Sequence, residues 1–144
     1  MSNADSEKVF AMHRYFLQAH LMKGDFEKTL SSNKENKPLL LVYMALWYGL
    51  LHVTIEGWQR LKLQDPQVDL LLENRANLKL LKGYRDDTFH FQPKYVAPRS
   101  MDALNSGNQF ILWIRSVHKA IGDYLLVEMG RQMDQSNGPD TGVS

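Results

Sequence analysis

Leu39-Leu40-Leu41-Val42-Tyr43-Met44-Ala45-Leu46-Trp47-Tyr48-Gly49-Leu50-Leu51 is a run of thirteen residues without a charge, and Pro38 stands directly before it. Proline suits the first position of a helix, where its missing N–H would have had no partner. The run is apolar all round, as expected of a helix at the centre of a bundle. It is shorter than the roughly 20 residues that cross a bilayer, so no membrane association is expected. Polar residues return at His52, Thr54, Glu56, Gln59 and Arg60, where the buried character ends.

Outward from this run the apolar residues keep a helical period. Val9, Met12, Phe16, Ala19, Met22, Phe26 and Leu30 recur at spacings of three and four, which places them on one face of a first helix with Asp5 or Ser6 as its cap. The polar stretch 31–37 ends it. Asp65-Pro66 repeats the cap-then-proline pattern and starts a short helix through Val68, Leu70, Leu71 and Leu72. A further helix is expected from Ala76 to Phe91, stopped by Pro93 because the residue before a proline is pushed out of the helical region. After a loop over 92–105, Asn105 or Ser106 caps a closing helix striped by Phe110, Ile111, Ile114, Val117, Ile121, Leu125 and Met129. Nothing alternates as a strand does. The expectation is all-α: an up-and-down bundle of four long helices plus a short one, spanning 6–133, with 1–5 and 134–144 outside it as disordered ends. Ser2-Asn3-Ala4 reads as a cloning scar.

Composition removes several function classes. The 144 residues are 44% hydrophobic and 23% charged, ordinary for one globular domain. Cysteine is absent, which excludes disulfides, thiolate zinc sites, iron–sulfur clusters and cysteine nucleophiles, and suits a cytoplasmic location. No basic segment followed by an apolar one opens the chain as a secretory signal would. Phosphate-loop, nucleophile-elbow and H-E-x-x-H motifs are missing, which disfavours P-loop NTPases, α/β-hydrolases and zinc proteases. The net charge of +1 gives no bulk reason to bind nucleic acid.

Charge is concentrated locally. Between 75 and 99 stand six basic residues, Arg75, Lys79, Lys82, Arg85, Lys94 and Arg99, against Asp86 and Asp87. That excess of four marks the one region suited to an anion. On a helix, Arg85 shares a stripe with Leu78, Leu81 and Phe89, so a guanidinium is aimed at an apolar surface. It either lays its stem there, paired with a carboxylate such as Glu56, or serves a ligand. Asp86 sits one turn before His90, a spacing at which its carboxylate could orient the imidazole. His52 with Glu56, and His13 with His20, also share faces, but two ligands do not make a metal site. No metal or other cofactor is expected. Trp47, Trp58 and Trp113 fall in apolar stretches and read as core anchors, and His118 stands by itself in the closing helix.

Arg85-Asp86-Asp87-Thr88-Phe89-His90 resembles the R-x4-H motif of HEPN domains. The setting is also similar. An apolar helix ends in Ile55-Glu56-Gly57-Trp58, Leu80-Leu81 and Tyr84 precede the motif, Phe89-His90-Phe91 closes it, and a long helix follows. The resemblance covers most of 6–133 and implies a HEPN-like bundle. Many such domains are metal-independent ribonucleases of toxin–antitoxin and phage-defence systems, dimers whose motifs meet at the interface. The resemblance therefore implies RNA as substrate, a homodimer, and an antitoxin protein as a further partner. Arg85, Asp86 and His90 carry over as the catalytic set, with Lys79, Lys82 and Lys94 as substrate-binding cations and Glu56 and Tyr84 as supporting residues. In that chemistry the RNA 2′-hydroxyl attacks the adjacent phosphate, a histidine moves protons and an arginine holds phosphate oxygens. Other HEPN domains are catalytically silent and serve as dimerisation or nucleotide- and RNA-binding modules. Asp86 stands where asparagine is common, and its charge repels a phosphate. The position two residues after His90, a tyrosine in one subgroup, is Gln92. Geometry separates the two readings. Arginine and imidazole converging on an open cleft favours a nuclease, whereas Arg85 spent on Glu56 and His90 facing solvent alone favours a module.

Overall fold

A computed structural model describes residues 3–32, 36–94 and 108–136 of the chain. They form five helices and, among the described residues, no strand: α1 (Asn3–Ser31), α2 (Lys37–Arg60), α3 (Pro66–Leu72), α4 (Arg75–Phe89) and α5 (Asn108–Ser136). The all-helical expectation holds, and the boundaries differ in instructive ways. α1 begins at Asn3, so Asp5 lies in its first turn rather than capping it, where a carboxylate still suits the positive end of the helix. α2 is capped by Asn36, whose side chain accepts from the Leu39 N–H. Asp65 caps α3 as expected, accepting from the N–H groups of Gln67 and Val68. α4 stops at Phe89, four residues ahead of Pro93. Asn105 and Ser106, the expected caps of α5, lie outside the described residues.

α2 is the central element, with α1 on one side and α4 on the other. Side-chain contacts fix the directions. Phe26 meets Trp47 while Met12 lies where a Cβ on Gly57 would point, so α1 and α2 run antiparallel. Arg85 meets Glu56 while Phe89 lies over Gly49, so α4 also runs against α2. α5 returns along α1: Glu27 pairs with Arg115, His20 with His118, and Ser6 with Gln132. The core is built from Val9, Met12, Phe16, Ala19 and Phe26 of α1, then Met44, Trp47, Tyr48, Leu51, Ile55 and Trp58 of α2. Val68, Leu81 and Tyr84 close it from α3 and α4, and Ile114, Val117, Ile121 and Leu125 from α5.

Two details of the sequence reading change. Leu30 is half exposed, and the first turns of α2 are not buried all round, since Leu39 and Val42 remain 38% and 51% exposed. By length and composition α2 as a whole, with its polar last turns, is apolar enough to cross a membrane; here its apolar surface builds the core.

Backbone chemistry sets the turn between α2 and α3. Lys62 has φ 54°, the left-handed region that favours glycine. Its N–H donates to the Gln59 carbonyl and that of Leu63 to the Trp58 carbonyl, the paired bonds that close a helix on a residue of this conformation. A lysine there carries a steric cost that glycine lacks. Lys62→Gly should therefore raise stability by up to about 1 kcal/mol, and a lowered midpoint in urea would contradict the argument.

Candidate functional site at the end of helix α4

Arg85 leaves α4 toward α2, as its stripe with Leu78 and buried Leu81 requires. Its guanidinium is held by two carboxylates: Nη2 lies 3.2 Å from Glu56 Oε1 and Nη1 lies 3.0 Å from Asp86 Oδ1. The three side chains are 29%, 29% and 44% exposed, so the cluster is neither buried nor free. Glu56 Oε1 is shared, because His52 Nδ1 lies 3.2 Å from the same oxygen, one turn back on α2. That approach is not aligned as a hydrogen bond, and His52 Nδ1 is buried without an acceptor or donor. Burial dominates its titration and pushes its pKa down, with Arg85 and Lys82 adding to the effect and Glu56 and Asp86 opposing it. His52 is accordingly neutral near pH 7.

His90 is placed by the end of the helix rather than by its periodicity. The residue has φ −118° and ψ 140°, extended backbone one step past Phe89. Its backbone N–H and its ring Nδ1 each lie 3.0 Å from the main-chain carbonyl oxygen of Asp86. A carbonyl only accepts, so Nδ1 carries the proton and Nε2 is left facing outward on an exposed ring. The sequence reading assigned this orienting role to the Asp86 carboxylate. The carboxylate instead turns to Arg85, because His90 has left the helix and no longer stands one helical turn above Asp86.

The other expected site residues separate. Lys79, Lys82 and Lys94 are exposed. Tyr84 is buried, 2% exposed, edge-on to Tyr48 and stacked with Phe110. It supports the helix from the core. Arg99 lies outside the described residues. Phe89 and Phe91, which flank His90, are 47% and 91% exposed.

A second cluster has no signal in the sequence. His118, which reads as an isolated residue, sits 3% exposed between α1 and α2. Trp47 Nε1 donates to its Nδ1 at 3.2 Å, and its Nε2 lies 3.0 Å from His20 Nδ1. An indole N–H only donates, so neutral His118 carries its proton on Nε2 and gives it to His20 Nδ1. The Phe16 ring packs on His118 with centroids 4.7 Å apart. Burial drives the His118 pKa down to about 3, with His20 and Lys23 contributing. No group of three metal-ligating side chains occurs among the described residues, His13 and His20 included. No family model, curated protein or solved structure matches the chain.

Proposed function

We propose that the chain is a HEPN-like dimerisation module that does not cleave RNA. The observation that supports this reading is the commitment of Arg85 to Glu56 and Asp86. Counting Arg85 against those two carboxylates leaves the cluster one negative charge in excess, and a phosphodiester approaching the remaining N–H groups of the guanidinium would meet the repulsion of two carboxylates already about 3 Å from it. The apolar surface beside it supports self-association. Phe89 covers α2 at Gly49, and Leu46, Val42 and Leu39 continue that stripe of α2 toward its start. With Phe91, they offer an apolar surface next to His90. A twofold dimer formed there would bury the same patch of both copies.

The experiment is the molar mass in solution of wild type and Phe89→Ser/Phe91→Ser. The expected result is a dimer for the wild type and a monomer of unchanged helical circular dichroism for the variant. A monomeric wild type at tens of micromolar would remove the proposal.

One observation favours a second reading, a metal-independent endoribonuclease with His90 for proton transfer. The bond to the Asp86 carbonyl fixes the tautomer of His90 and leaves Nε2 open, as an acid–base group requires. Incubation with total RNA in the presence of a chelator decides between them. On the module reading, wild type and His90→Ala leave RNA equally intact, whereas cleavage lost in the variant would establish the nuclease.

A further inference from the structure

Away from the α4 terminus, α1 and α2 leave a groove of about 490 Å³ between them. Its origin is the size of the residues that face each other. Ala11 on α1 and Gly57 on α2 are small, and the atoms nearest to Gly57 across the seam belong to the flexible Met12 side chain. Val53 and Leu61 add aliphatic lining, and Tyr15 and Glu56 also face the groove. The volume falls within the range of roughly 300–1,000 Å³ typical of small-molecule sites, and lining residues 8 to 15 give it a length of about 10 Å along α1.

The groove is electrically asymmetric. Lys8 and Arg60 line it from opposite helices, near the start of α1 and the end of α2. Neither has an ion-pair partner among the described residues. Glu56 stands one turn before Arg60 on α2, and its charge turns an anion away from that part of the lining. A ligand fitted to this arrangement has an anionic head for the two cations and an apolar body for Ala11, Met12, Val53 and Leu61. We infer that the groove between α1 and α2 is a binding site for a medium-chain aliphatic carboxylate, its head between Lys8 and Arg60. A charge-assisted hydrogen bond from each cation would hold the carboxylate, while the lining takes the alkyl chain out of water.

The test is calorimetric titration of the purified full-length protein with hexanoate, octanoate, adenosine monophosphate and inorganic phosphate, repeated with Lys8→Gln and Arg60→Gln. The expected result is octanoate binding with affinity rising up to about fourfold per added methylene from hexanoate, and a loss of tenfold or more in each variant. Both substitutions are at exposed positions, and unchanged circular dichroism confirms that the fold is intact. Absence of octanoate binding, binding indifferent to both substitutions, or tighter binding of adenosine monophosphate or phosphate would each overturn the assignment. A carboxylate held in a bilayer is distinguished by sedimentation with phosphatidylcholine vesicles containing oleic acid: co-sedimentation without octanoate binding would also overturn it.

Discussion

Trp47→Ala should lower the stability of the fold by about 4–8 kcal/mol, the largest effect expected of a single truncation among the described residues. The side chain is fully buried at the centre of α2. It packs against Phe26 and Tyr48 with centroids 5.4 and 5.3 Å away, and the Lys23 ammonium lies 5.8 Å from its ring. Removing a buried tryptophan costs about 3–5 kcal/mol through lost contacts and the cavity left behind. A further 1–3 kcal/mol follows from orphaning His118 Nδ1, which accepts the indole N–H and is itself buried. Against a typical domain stability of about 5–15 kcal/mol this is severe, and a fall in Tm of about 10–25 °C is expected. Trp47→Phe separates the two contributions, since it keeps most of the ring contact and loses the donor, and should cost less than half as much. A shift of under about 3 °C for Trp47→Ala would refute the placement of this residue at the core.

The same cluster makes the fold sensitive to acid. An unfolded chain protonates His118 near its ordinary pKa of about 6.5, whereas the folded one resists until about pH 3. Below pH 6.5 the unfolded state therefore binds the proton that the folded state refuses, and stability falls as pH falls. The contribution is fully present above pH 7 and is lost progressively between about 6.5 and 3, for a total on the order of 4–5 kcal/mol. Between pH 7.5 and 5 the loss from this residue is about 2 kcal/mol. His52, whose pKa burial also depresses, adds to the fall in the same direction. Urea denaturation at pH 7.5, 6 and 5 measures it. His118→Gln retains an amide able to accept from Trp47 and donate toward His20 but does not titrate, so its stability should vary less with pH than the wild type. An unchanged pH slope in that variant would assign the effect elsewhere.

The helices were legible because their signals are local. Asp65-Pro66 and Pro38 mark helix starts through the geometry of a few adjacent residues, and the three-and-four spacing of Val9, Met12, Phe16 and Ala19 needs only one helix to make sense. The pairing of Arg85 with Glu56 was open to the same reasoning, since an arginine on an apolar stripe needs a counter-charge and Glu56 ends the most apolar helix. His90 was harder. Helical spacing puts Asp86 beneath it, but the helix stops one residue earlier, and that single backbone change hands the imidazole to a carbonyl instead of a carboxylate. The Trp47–His118–His20 chain could not be read at all. Its outer members are separated from His118 by 71 and 98 residues, and no periodicity within one helix records a contact between three.

Gly122 imposes a condition on how this fold can diverge. A Cβ at that position would come within 2.9 Å of the Phe16 ring, so the close approach of α1 and α5 depends on an absent side chain meeting a large one. Neither position can drift freely. A descendant with alanine or serine at 122 should carry a smaller residue at 16, and this paired exchange across 106 sequence positions would mark kinship where overall identity has faded.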